Sequence, residues 1–162
     1  MRLAVSTTNE TDAARSAQMS RIRGRDTKPE MRVRRALHAA GFRYRLHAKE
    51  LPGKPDLVFR GRRIALFVHG CFWHQHPDPN CKLSRMPKSK LDFWRPKLEG
   101  NRVRDEKTRS ALEAGDWTVV EVWECETNPD HLRRLVAKLR TINPPSTAED
   151  KSRSIIGAKA GK

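Results

Sequence analysis

The chain has 162 residues, 36% hydrophobic and 33% charged, and its 34 Lys and Arg outnumber 19 Asp and Glu to give a formal net charge of +15. That length suits one domain with a single core. No run of about 18 apolar residues is present to span a membrane, and the polar stretch from Thr7 to Arg15 leaves no room for the apolar segment of a secretory signal. The charge excess lies well beyond the roughly 2 to 8 of a small soluble domain and favours a polyanionic partner, nucleic acid first. A membrane surface ranks second, but it calls for a basic helix with an aromatic-bearing apolar face, whereas the aromatics here sit mostly in or beside expected strands and loops. Three cysteines cannot all pair with one another. Without an export signal the chain is expected in a reducing cytoplasm, which favours metal ligation or free thiols over disulfides.

Residues 1–17 are polar and aperiodic and read as a flexible arm. Met19 and Ile22, interleaved with Arg21, Arg23 and Arg25, suggest a short helix able to lie on DNA. The next helix is better marked, at about 28–40. Thr27 and Glu30 have capping-box spacing, Val33, Ala36, Leu37 and Ala40 form an apolar stripe, and Gly41 supplies the stop. Phe42 to Leu46 alternates apolar and basic residues as a half-buried strand does, and Leu51 to Pro55 is a turn. Asp56 opens a second strand through Phe59, Arg60 to Arg63 turns the chain, and Ile64 to Val68 returns antiparallel to it. A loop rich in Pro and Lys spans 77–90. Helical character from Leu91 to Ala114 is interrupted by Pro96 and Gly100, which predicts a kinked or two-part helix. Trp117 to Trp123 alternates strictly as a strand. Asn128, Pro129 and the stripe Leu132, Leu135, Val136, Leu139 define a last helix. Residues 143–162 are a polar, basic tail with no core signature, expected to be disordered. The domain is therefore placed at 18–142, an α/β fold with a central mixed sheet flanked by helices.

Residues 69–81 hold two of the three cysteines, three of the six histidines and an aromatic pair. Four residues separate Cys71 from His76, four more separate His76 from Cys81, and 43 separate Cys81 from Cys125. A set of three thiolates and one imidazole closes a tetrahedral site with no open position, the pattern of structural zinc, and a loop of this composition cannot bury a core of its own. Small thiols filling core gaps are the duller alternative. Asp56 stands where the hairpin brings it beside His69 and His74, so it can hold a divalent cation against a phosphate while the histidines handle protons or a phosphate oxygen; taken alone, it is equally an Asp that caps a turn. Glu30 has a structural role in the capping box and a functional one only if it faces His74. Phe72, Trp73 and Trp94 are either core or aromatics that wedge between base steps, a deformation least costly at a mismatch. Arg62, Arg63, Lys82, Arg85, Lys88, Lys90, Arg102, Arg104 and Lys107 surround these residues in sequence, and the overall charge makes several of them phosphate contacts.

Arg25-Asp-Thr-Lys-Pro-Glu30, Leu51-Pro-Gly-Lys-Pro-Asp56, Phe67-Val-His-Gly-Cys-Phe-Trp-His74, Asp92-Phe-Trp94, the segment from Lys97 to Asn101 and Val122-Trp-Glu-Cys125 together resemble the very-short-patch-repair (Vsr) DNA mismatch endonucleases. The resemblance covers about residues 18–140. It implies a restriction-endonuclease-like fold and an enzyme that nicks the strand 5′ to the thymine of a T:G mismatch left by deamination of 5-methylcytosine. It further implies a magnesium ion on Asp56 and the backbone carbonyl of Val68, and His74 as general base with Glu30 as its carboxylate partner. His69 would contact the scissile phosphate. Phe72, Trp73 and Trp94 match the intercalating wedge, and Cys71, His76, Cys81 and Cys125 the structural zinc ligands. A bacterial, nucleoid-associated cytoplasmic enzyme acting as a monomer, with a MutL-type mismatch-repair protein as partner, is the corresponding biology. The acidic-x-Lys signature of most restriction-like nucleases is replaced by Phe67-Val68-His69, the family's own deviation. Val68 stands where relatives carry threonine, a change a backbone ligand tolerates, and the loop from His76 to Cys81 is longer here. Two other readings are a zinc-stapled DNA-binding module without catalysis and a sequence-specific restriction endonuclease cutting both strands of paired duplex.

Overall fold

A computed structural model describes residues 25–142. The expected arm, the helix around Met19 and Ile22, and the basic tail lie outside the described residues. Helix α1 spans Lys28–Ala39, strand β1 Arg45–Leu46, β2 Leu57–Phe59, β3 Ile64–His69, helix α2 Leu91–Ala114, β4 Thr118–Trp123 and α3 Pro129–Thr141. The sheet order is β1-β2-β3-β4, antiparallel across the first two pairings and parallel between β3 and β4, so the mixed sheet read from the sequence is present. Among the described residues no helix is long and apolar enough to cross a membrane.

Each helix forms where local chemistry favours it. Thr27 accepts a hydrogen bond from the Glu30 N–H at the start of α1, Asn128 does the same for the His131 N–H at the start of α3, and such caps stabilise by about 1 kcal/mol each. The other half of the expected capping box is replaced, because the Glu30 side chain turns inward to Arg34. Gly41, at φ +89, ends α1 as expected. Only Arg45 and Leu46 of the first expected strand enter the ladder. The Arg60–Arg62 connection is a 3-10 turn closed by Arg63 in the left-handed region.

Of the two forms expected, kinked or two-part, helix α2 excludes the second: it is one helix of 24 residues with Pro96 inside. Pro96 lies in its second turn and forfeits a single backbone bond. Gly100 costs about 1 kcal/mol relative to Ala, and the burial of Trp94, Leu98 and Leu112 offsets both.

The strand period of two divides the side chains between two layers. Leu57, Phe59, Ile64, Leu66, Val120 and Val122 face α1 and α3, where Val33, Leu37, Leu135 and Leu139 complete the main core. The alternate positions Asp56, Phe67, His69, Val119 and Glu121 face the other way, toward α2, and line a cavity of about 380 Å³ together with Asp105, Thr108 and Arg109 of that helix. One face of the sheet thus carries stability and the opposite face carries the polar groups.

Candidate active site and metal centre

Asp56 reaches from the foot of β2 to β3, where its Oδ2 accepts the Val68 N–H at 2.8 Å. Burial is the main cause holding its carboxyl above the ordinary value; the Val68 N–H opposes the shift and the nearby Glu30 charge adds to it. The turn before it is fixed from outside: a Cβ on Gly53, at φ +70, would lie 2.2 Å from Thr108 Cγ2, so α2 packs directly on the Pro-Gly-Lys-Pro turn. Asp56 and Val68 are therefore brought together as the spacing requires.

His69 and His74 also converge, with ring centroids 4.1 Å apart. His69 is buried at the end of β3, between Phe67 and Trp123. His74 lies after a tight turn in which its N–H bonds to Gly70 O at 3.1 Å. Glu30 does not meet His74. It is 2% exposed, pairs with Arg34 and lies 3.5 Å from His47 Nε2. The carboxylate against His74 is Asp105 of α2, whose Oδ2 is 2.6 Å from Nδ1. The reason is topological: α1 packs on the core face of the sheet with α3, while α2 covers the face that carries the histidines.

Three histidine–carboxylate pairs line the cavity: His74 with Asp105, His69 with Glu121 at 3.7 Å, and His47 with Asp56 at 4.0 Å. The His69 contact holds the Glu121 carboxyl below its ordinary value, and Arg109 adds to the effect. Arg25, Lys54, Arg104 and Arg109 stand around the same cavity. Arg62 and Arg63 instead serve structure at the far end of β3, donating to carbonyls of Leu139 and Ile142 and of Gly115 and Asp116.

Asp105, Glu121 and His47 are not singled out by the sequence motifs. A signal for the first was present: the positions of α2 that turn inward, 94, 98, 101, 105, 108 and 112, carry three polar residues, Asn101, Asp105 and Thr108, inside an otherwise apolar stripe.

Cys71, Cys81 and Cys125 come together, their sulfurs within 4.8 Å of one another, although Cys125 reaches the group from beyond β4. His76 Nε2 is 3.9 Å from Cys125 Sγ, and its Nδ1 accepts the Asp78 N–H at 3.2 Å, which directs Nε2 toward the sulfurs. Burial and the two neighbouring thiols push Cys125 up to about 12. Three thiols this close cannot ionise together without a cation, so the donor set fits a soft divalent metal.

Phe72, Trp73 and Trp94 form one aromatic cluster with ring centroids 5.1 to 6.0 Å apart. Trp94 is buried at its base while Phe72 and Trp73 are half-buried. Asn101 donates to Trp73 O at 2.9 Å, and Lys97 Nζ lies 5.8 Å from the Trp73 ring.

A half-open cavity of carboxylates and imidazoles ringed by cations, on a chain of net charge +15, has the chemistry of a phosphodiesterase acting on a polyanion. Comparison with known proteins defines the class. Residues 8–81 match the family described as "DNA mismatch endonuclease Vsr". The chain is 51% identical over 128 residues to the type II nicking enzyme V.XorIIP of Xanthomonas oryzae pv. oryzae, covering 79% of this chain and 90% of that one. It is 40% identical over 135 residues to the type II nicking enzyme V.NmeAIP of Neisseria meningitidis, covering 80% and 94%. With the DNA mismatch endonuclease Vsr of Escherichia coli it shares 40% identity over 113 residues, 70% of each chain. The chain belongs to the Vsr DNA mismatch endonuclease family and is an endodeoxyribonuclease.

Proposed function

We propose that this endonuclease nicks one strand of duplex DNA 5′ to the thymine of a T:G mismatch, initiating repair of deaminated 5-methylcytosine, with magnesium as the catalytic ion and zinc as the structural one. The observation that carries the reading is the convergence of Asp56, Val68, His69, His74 and Asp105 in one cavity, with the Phe72–Trp73 aromatic pair immediately before His74 in the chain.

Asp56 and the Val68 carbonyl would hold magnesium, which when bound supplies positive charge to the phosphate as negative charge develops there. Asp105 accepts from His74 Nδ1, which leaves Nε2 with the lone pair that takes a proton from the attacking water. His69 donates to a phosphate oxygen, its Nε2 facing Glu121, which Arg109 holds in turn. Phe72 and Trp73 enter the base stack beside the mismatch, supported from beneath by Trp94. Cys71, His76, Cys81 and Cys125 would hold zinc, whose structural role there would be to fix the loop that presents both aromatics and His74. Glu30 acts from the Asp56 side of the cavity. A monomer suffices for a single nick, the enzyme works on the DNA of a bacterial cytoplasm, and a MutL-type protein is its partner in repair.

Family membership sets aside a non-catalytic binding module. A restriction endonuclease is separated by experiment: a T:G duplex and its T:A control are incubated with the full chain, with and without magnesium. Nicking of the T:G strand alone, only with magnesium, is expected. Asp56→Ala should retain the mismatched duplex and lose nicking by about 10³-fold or more. Double-strand cleavage of the paired control, or full activity of Asp56→Ala, would overturn the assignment.

A further inference from the structure

Arg34 and His47 take no part in the chemistry proposed for the cavity, yet they form the most closely bonded polar group on its Asp56 side. The Arg34 side chain is only 10% exposed. Its Nη1 donates to Asp26 at 2.6 Å, and its Nη2 is shared between Glu30 and His47 Nε2, the latter at 2.8 Å. A guanidinium can only donate, so His47 Nε2 is the acceptor and the ring's hydrogen stands on Nδ1. That nitrogen faces Asp56 Oδ1 at 4.0 Å. The backbone joins the same two residues: the His47 N–H donates to Asp56 O at 3.2 Å, and His47 adopts φ +46, a conformation non-glycine residues seldom take. Asp26, Glu30 and His47 are spaced to hold a cation, but the Arg34 guanidinium already bonds all three.

We propose that His47 is a positioning residue for Asp56, its tautomer set by Arg34 and Glu30, and that its Nδ1–H is the second donor orienting the carboxylate whose other oxygen is held by Val68. The proposal rests on the assignment of Asp56 as a metal ligand. Glu30 thereby gains a defined role, because Glu30 and Asp26 hold Arg34, Arg34 orients the imidazole, and the imidazole orients Asp56. At 4.0 Å the Nδ1–H contact is longer than a formed hydrogen bond and closes when the carboxylate is drawn into place.

The test uses the full, zinc-loaded chain and four variants, His47→Ala, His47→Asn, Arg34→Met and Asp56→Ala. Mn²⁺ affinity is read by paramagnetic resonance, single-turnover nicking as a function of magnesium, duplex affinity in magnesium-free buffer, and the His47 tautomer by nitrogen NMR. Asparagine carries an N–H near the place of Nδ1 and so preserves the donor. His47→Ala should weaken Mn²⁺ binding and raise the half-saturating magnesium by about tenfold, leaving duplex affinity within about twofold. His47→Asn should recover most of the loss. Arg34→Met should erase the single-tautomer signal of His47 and weaken Mn²⁺ binding in the same direction.

Wild-type Mn²⁺ affinity in His47→Ala, with Asp56→Ala defective, would overturn the proposal and leave the metal assignment standing. Equal loss in His47→Ala and His47→Asn would also overturn it, since the role would then be packing. Wild-type Mn²⁺ affinity in Asp56→Ala would overturn the metal assignment itself, and this proposal with it.

Discussion

At Asp105 the consequence of a single carboxylate can be read directly. Its bond to His74 selects one tautomer of that ring and, in the proposed reaction, would offset the charge the ring acquires on taking a proton. Asp105→Asn keeps the shape and offers a donor where an acceptor is needed. Nicking should fall by about 10²- to 10⁴-fold with duplex binding unchanged, measured under single turnover at saturating enzyme. Asp56 yields a prediction of a different kind. Its folded value is raised, chiefly by burial, so its contribution to stability is full below the ordinary carboxylate range and is lost as pH climbs through the raised value. Asp56→Asn removes that loss. In magnesium-free buffer the variant should melt above the parent at about pH 7, and the two should converge below about pH 4. A variant that melts lower at neutral pH would mean that the Val68 hydrogen bond outweighs the cost of burial.

Between elements, the contact that sets the geometry is that of α2 with the turn before β2. Gly53 lies under Thr108 with no room for a methyl group and at a positive φ, so Gly53→Ala should cost about 1 to 3 kcal/mol. Thr108→Ala should return part of that in the double variant, read as a non-additive shift in urea midpoints. This contact was invisible in the sequence, where Gly53 reads only as a turn residue. The elements themselves were legible, because Thr27, Asn128 and Pro129 mark helix starts and the alternation of β4 marks a strand by local rules. The site was legible in part. Cys71, His74 and His76 crowd one stretch, and Asp56 lies one hairpin away. The partner of His74 depended instead on which face of the sheet each helix covers, a tertiary fact that spacing does not carry. Thus the family resemblance pairs Glu30 with His74, while α1 packs on the other layer and α2 supplies Asp105.

At the scale of the molecule, the thiol cluster links the 69–81 loop to the end of β4. Cys71 and Cys81 come from the loop and Cys125 from 44 residues beyond it, so a cation there would cross-link segments far apart in the chain. Cys125→Ser should lower the melting temperature and abolish nicking with Asp56 and Asp105 untouched, and zinc content measured by atomic absorption should fall in parallel. A soluble, zinc-free and fully active Cys125→Ser protein would refute the structural role. The parallel pairing of β3 with β4, which sets His69 beside Trp123, also bears on biosynthesis. A chain emerging from the ribosome displays Asp56, His69 and His74 early, but it lacks the neighbour strand that seats His69 until residue 123 has cleared the tunnel. If His69 must be seated to contact the phosphate, nicking becomes possible only once β4 has docked, and the strand that completes the sheet also switches on the site.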